Sequence, residues 1–215
     1  MSQAQPSVTT PDRLPRQRRP KRDEVQQRLL EGAENAFAKR GFAGASIDLI
    51  CATAGFSRGA FYSNFPDKEA LFFALYDLRI NKLYDRVSDV AEKVRHAEHP
   101  VQALAEYLRD PNLDELNWNI LNKEFIVHAL RNAEARDRLI TSRRESRTRL
   151  TALLIDILPE LRDEAEKLER LCRFIIALHE GELTQLGLEP DLLGQPSLMS
   201  EFLPIVLASV MEGDA

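Results

Sequence analysis

Between Gly41 and Leu71 the sequence GFAGASIDLICATAGFSRGAFYSNFPDKEAL alternates helix-period runs with single breakers, and that punctuation leaves little freedom of fold. Ser46 stands where an N-cap belongs, and Ile47, Ile50, Cys51 and Ala54 follow at helical spacing on one face. Gly55 tolerates the positive φ that a three-residue turn through Ala54, Gly55 and Phe56 requires. Ser57 offers a second N-cap, and a short helix runs from Arg58 to about Phe65. Pro66 stops it, because the residue before a proline is pushed out of the α region. Projected at about 100° per residue, Phe61 and Phe65 point one way and, with Phe56, pack on the preceding helix. Gly59, Ala60 and Ser63 point the opposite way, with Arg58 and Tyr62 on one flank and Asn64 on the other. Such a small, polar face, carrying a cation and hydroxyl and amide donors, suits a DNA major groove. Two short helices around a glycine also describe a plain helical hairpin.

Charge bears on that choice. The chain carries a net charge of −5 over 215 residues, which looks unsuited to DNA. Residues 1–68, however, hold 11 Lys+Arg against 7 Asp+Glu, and the remainder 18 against 27. The basic part is the part that carries the helix–turn–helix pattern, and the acidic part fits a body held away from a duplex.

Residues 1–20 read as a disordered arm rich in Gln, Pro, Ser and Thr. It ends in a cationic cluster that includes Arg18, Arg19 and Lys21, suited to phosphates or a minor groove. A head follows over 21–66. Its first helix is capped by Asp23, buries Val25, Leu29, Ala33 and Phe37, and ends near Arg40 with Gly41 beyond it. A fourth helix, 67–96, connects the head to the rest, and about 30 residues span about 45 Å. Lys68 in its first turn opposes the helix dipole and so gains little as a structural residue. Further helices are expected over 101–110, 114–132, 134–157, 162–187 and 197–212. Pro204 should kink the last one or delay its start. The fold class is therefore all-α, with about nine helices: a three-helix DNA-binding head and a C-terminal helical domain, 67–215, for ligand binding and dimerisation.

The run from Ser46 to Leu71 resembles the signature of the tetracycline-repressor (TetR-like) family of bacterial transcription regulators. The matching residues are Ser46-Ile47, Ile50, Ala54-Gly55-Phe56-Ser57-Arg58-Gly59, Phe61-Tyr62, Asn64-Phe65, Asp67-Lys68 and Leu71. Cys51, Phe56 and Pro66 depart from the usual residues, and Asp48 puts an acid near the expected DNA backbone. Beside the arm, read from its charge, the resemblance points to DNA contacts from Ser46, Ser57, Arg58, Gly59, Ala60, Tyr62, Ser63, Asn64 and Lys68, the last on a phosphate. It also implies a ligand pocket among the middle helices and a homodimer formed by the last two.

For the pocket, Trp118, Leu121, Phe125, His128 and Phe174 are the candidates, which suggests a largely apolar ligand. For the dimer, the surplus apolar positions are Leu171, Ile175, Leu178, Phe202, Ile205 and Val206, with Gly181 allowing close approach. The basic run from Arg136 to Arg149 reads as a solvated helix with i,i+4 pairs. No apolar run approaches the roughly 20 residues of a membrane span, and no secretory signal is recognisable. Cys51 and Cys172, without CxxC spacing, suit a reducing cytoplasm. No nucleophile–base spacing, phosphate loop or metal cluster appears, so neither an enzyme nor a cofactor is expected. The expectation is a transcription regulator, a repressor that leaves a palindromic operator on binding a small molecule. The alternatives are a ligand-dependent activator and an adaptor whose head does not bind DNA.

Overall fold

A computed structural model describes residues 21–94, 96–100, 102–103 and 113–212. Eight α-helices occur among them. They are α1 (Arg22–Gly44), α2 (Ile47–Ala54), α3 (Arg58–Tyr62), α4 (Lys68–Val94), α5 (Leu113–Arg131), α6 (Ala133–Ile157), α7 (Ala165–Leu188) and α8 (Leu198–Glu212). There is no strand among the described residues. The expected arm at 1–20, with Arg18 and Arg19, lies outside them, as does most of the expected helix at 101–110.

Side-chain oxygens and glycines set the boundaries of the head. Ser46 Oγ accepts from the Leu49 N–H (3.2 Å) and Ser57 Oγ from the Ala60 N–H (3.3 Å), so both serines are N-caps. Gly55 has φ 75°, ψ 34° and closes the turn between α2 and α3. Asp67 caps α4 through the Ala70 N–H (2.6 Å). Three boundaries in the head differ from expectation. Lys21 rather than Asp23 occupies the cap position of α1, its N–H donating to Glu24 Oε2 (3.0 Å). At Gly41 the helix breaks, with φ 69° and ψ 172°, but it resumes for one more turn to Gly44. α3 is also shorter than its pattern. After Tyr62 the chain tightens into a turn closed by Asn64 and Phe65 N–H groups on the Phe61 carbonyl. Pro204 does not delay α8, which begins six residues before it.

One apolar core closes the head and continues beyond it. Leu29, Ala33, Phe37, Ile50, Phe61 and Phe65 join Leu71, Phe72 and Leu75 of α4 and Leu121, Phe125 and Leu139 of α5 and α6. A second core joins α6, α7 and α8 through Leu154, Leu168, Cys172, Met199, Leu203 and Leu207. Glu182 of α7 fixes the start of α8, accepting from the Leu198 N–H (2.6 Å) and the Ser197 hydroxyl (3.0 Å). Both cysteines are buried and unbridged. No described helix is long and apolar enough to cross a membrane.

α1 and α2 are in close contact at Gly32. A Cβ there would lie 2.7 Å from Ala54 Cβ and 2.9 Å from the Ala54 nitrogen. Gly32→Ala is therefore expected to cost about 1–3 kcal/mol through overpacking, read from the midpoint of urea unfolding. An unchanged midpoint would mean that the two helices do not cross in contact at this residue.

Candidate functional site

α3 has only five residues and is held by what lies beneath it. Phe61 is fully buried, Phe65 nearly so, and Phe56 packs half-buried beside them under the guanidinium of Arg28, 4.7 Å above its ring. Arg28 also donates to the Ala54 carbonyl (3.1 Å), tying α1 to the turn. With the aromatic side pinned, Arg58, Gly59, Tyr62 and Ser63 face solvent and Ala60 is half-buried between them. Arg58 lies between two partners on this surface, Asp48 of α2 (3.2 Å to both carboxylate oxygens) and the Tyr62 hydroxyl (3.4 Å). Ser63 Oγ donates to the Gly59 carbonyl (2.8 Å). Ser46 and Ser57 are exposed at the helix starts, and each hydroxyl keeps a proton to donate after accepting its cap bond. Lys21 is exposed at the start of α1. Asn64 is turned inward, its amide donating to the Ala60 carbonyl (2.7 Å).

Lys68, expected on a phosphate, is engaged here by the chain itself. Its Nζ donates to the carbonyls of Phe42 (2.7 Å), Ala45 (3.0 Å) and Ala43 (3.4 Å), and it lies 4.7 Å above the Phe42 ring. Burial lowers its pKa. An ammonium has three protons, and these carbonyls take them. In this structure Lys68 thus closes the end of α1. The dipole of α4 is a smaller influence than the orphan carbonyls of α1 beside it.

The same segment is held from the other side. Glu124 of α5 accepts from the Phe42 N–H (2.5 Å), and its carboxylate fills the space where a Cβ on Gly41 would stand. The Phe42 ring meets Phe125 edge-on at 5.0 Å, Phe72 at 5.6 Å and His128 at 5.2 Å. His128 in turn bonds Glu69 (2.7 Å).

A cavity of about 180 Å³ lies between α4, α5, α6, α7 and α8. Its wall is mostly apolar (Ile80, Leu83, Leu150, Ile175 and Leu203 among others), with Trp118, Asn119 and Asn122 contributed by α5. Trp118 is the one expected pocket residue that lines it. Leu121, Phe125 and His128 do not, because on α5 they sit on the flank that meets the head. Phe174 does not either: it is 37% exposed on the outside of α7. The sequence reading misses the aliphatic wall and also its polar side chains, among them Tyr76, Tyr84, Asn119, Asn122, Arg143 and His179. Arg143 is hard to single out among its basic neighbours. That run pairs across helices instead of along its own: Arg143 to Glu180 (2.9 Å), Arg147 to Glu169 (3.1 Å), and Arg138 over Phe73 (4.2 Å). Burial holds the His179 imidazole below its usual pKa and pushes the Tyr84 phenol up to about 12, so both stay neutral at neutral pH.

The apolar positions assigned to a second copy divide. Leu171 and Ile175 are buried inside this chain, and Leu178 packs half-buried against the same core. Phe202 (44% exposed) and Ile205 (61% exposed) face outward, with Val206 half-buried at their edge. Gly181 is open: a Cβ added there would meet nothing within 4 Å. Phe174, expected in the pocket, lies instead beside Val206 and Val210 in a shallow surface hollow. The division follows helix period: in α8, Met199, Leu203 and Leu207 recur every fourth residue and bury together, leaving Phe202 and Ile205 on the far side.

Comparison with known proteins agrees with this architecture. Residues 29–75 match the family model described as bacterial regulatory proteins, tetR family. The repressor AcnR of Corynebacterium diphtheriae is 49% identical over 49 residues, covering 23% of this chain and 26% of that protein. The alignments to AcnR proteins and to YerO of Bacillus subtilis span only 24–34% of those proteins. A longer match is the uncharacterised helix–turn–helix regulator YdgC of Bacillus subtilis, 30% identical over 134 residues, covering 54% of this chain and 67% of that one. In fold, a TetR-family regulator from Mesorhizobium loti superposes with a TM-score of 0.64 at 17% identity, covering 90% of this chain and 98% of the other. A regulator from a Rhodococcus species gives 0.64 at 24% identity, covering 87% and 96%. The head motif, the helical order and the length of these matches together place the chain in the TetR family of bacterial regulatory proteins, to which it belongs.

Proposed function

We propose that the chain is a DNA-binding transcription regulator, a homodimeric repressor that releases a palindromic operator when a small molecule enters its cavity. The observation that carries this reading is α3 itself. Its apolar side is anchored by Phe61 and Phe65, and its solvent side offers Arg58, Gly59, Tyr62 and Ser63 without a bulky aliphatic side chain among them. Small residues let the helix backbone approach base edges, and Arg58 and Tyr62 supply donors for bases or phosphates. Kinship over the head with proteins named as repressors supports the sign of the effect. No observation favours an activator or a DNA-free adaptor.

The geometry supports a specific coupling. α4 and α5 both run from the cavity to the head. Trp118 on the cavity wall stacks on Phe72 (5.9 Å), Phe72 stacks on Phe125 (3.7 Å), and Phe125 meets Phe42. A ligand that shifts α5 relative to α4 therefore acts on Phe42, which Glu124 and Lys68 hold from opposite sides. Only a ligand with different affinities for the two arrangements moves the equilibrium.

Arg58→Ala is expected to weaken duplex binding about tenfold to a hundredfold in a fluorescence-anisotropy titration, and undiminished affinity would remove α3 from the interface. Lys68→Met should lower the urea midpoint while the slope of log affinity against log salt stays as in the parent; a slope shallower by about 1 would restore Lys68 as a phosphate contact. For the dimer, Ile205→Asp puts a charge on the outward face of α8 and should halve the mass measured by light scattering, whereas a retained dimer would place the contact elsewhere.

A further inference from the structure

We propose that Asp48 is a positioning residue for DNA readout: it aims the Arg58 guanidinium at a base edge and disfavours duplexes that offer Arg58 no acceptor there. This rests on the reading of α3 as the helix that enters the groove.

An acid on a DNA-facing surface calls for a reason. Asp48 lies in the first turn of α2, and its side chain is 66% exposed. The helix dipole favours an acid in that turn but does not explain why the carboxylate reaches across to α3. Arg58 Nη1 lies 3.2 Å from both Asp48 oxygens, and Arg58 Nη2 donates to the Tyr62 hydroxyl (3.4 Å). The guanidinium also lies 5.9 Å from the centre of the Tyr62 ring. Each terminal nitrogen of Arg58 thus has its own partner, one on α2 and one on α3. Ion pairs this exposed contribute little to folding, so stability does not account for the arrangement.

What the arrangement changes is the state of Arg58 before DNA arrives. A free arginine samples many rotamers and takes any phosphate within reach. Held at both ends, Arg58 has fewer orientations to lose on binding. It still keeps donors for a base, because a guanidinium has five N–H groups and two partners do not use them all. Guanine presents two acceptors, O6 and N7, to such a donor set in the major groove. The carboxylate acts on wrong partners as well. It repels the phosphates of every duplex alike, and a site whose bases engage Arg58 offsets that loss while others do not.

The test is a selection of duplexes from a random pool by the full chain and by its variants, with base preferences read by sequencing. Arg58→Ala should erase the preference at one base pair of each half-site, which marks the pair that Arg58 reads. Asp48→Ala should cut the preference at that same pair about fivefold or more and leave the others as in the parent. Its affinity for unrelated duplex should rise about threefold or more, and its slope of log affinity against log salt should steepen by about 1, as Arg58 turns to a phosphate. Asp48→Asn keeps an acceptor for Arg58 without the charge, and its preference at that pair should fall between those of the parent and Asp48→Ala. Adding Asp48→Ala to Arg58→Ala should alter no preference further, because the acid acts through the arginine. An Asp48→Ala profile equal to the parent's, or one degraded at every base pair alike, would overturn the proposal. So would a further loss of preference in the double variant. Either result leaves α3 as the recognition helix, whereas a parent chain that selects no sequence at all would sink the DNA-binding reading and this inference with it.

Discussion

The structure depends on how one residue, Phe42, is held. It lies just past the Gly41 break in α1. There its N–H meets the Glu124 carboxylate, its carbonyl meets the Lys68 ammonium, and its ring enters a cluster of Phe72, Phe125 and His128. A hydrogen bond to a charged group contributes about 1.5–3 kcal/mol, and burial of a phenylalanine a similar amount. Three helices thus converge on a single residue. The head could not rotate on the body without breaking these contacts together, and that makes its orientation a property that the body can control.

This junction also explains why α5 has two characters. One flank carries Leu121, Phe125 and His128 toward the head, and the other carries Asn119 and Asn122 toward the cavity, with Trp118 at the seam. The helix is short of charge where it meets the cavity and specific in its polar contacts where it meets Phe42. A helix that packs on the head with one flank and lines a cavity with the other has to be apolar over more than one stripe, and such a helix gives a blurred amphipathic signal.

That blur marks what can be read from the sequence. The head is legible because it is built from local rules. Ser46 and Ser57 cap, Gly55 turns, and Phe61 and Phe65 anchor, each within a few residues of its effect. Contacts between distant segments are not legible. By sequence Lys68 is weighed against the dipole of its own helix, and nothing in its neighbourhood announces the carbonyls of Phe42 and Ala45 about two dozen residues earlier. Apolar pattern points to aromatics for the cavity, although its wall is mostly aliphatic, with amides among its polar side chains. In α7 and α8, period identifies two apolar stripes, but which stripe faces inward is decided by tertiary packing, so Leu171 and Ile175 change places with Phe174.

The most direct test of the account is the duplex preference of Glu124→Ala, measured against a palindrome selected from a random pool by the parent chain and against one half of that palindrome. Losing the Glu124 bond should free the Phe42 peptide and the angle of each head, while α3 keeps its own anchors. Affinity for the whole palindrome should then fall about tenfold or more while affinity for the half-site holds. A variant that binds the full palindrome as tightly as the parent would show that the junction does not set the heads, and the account would fail at its centre.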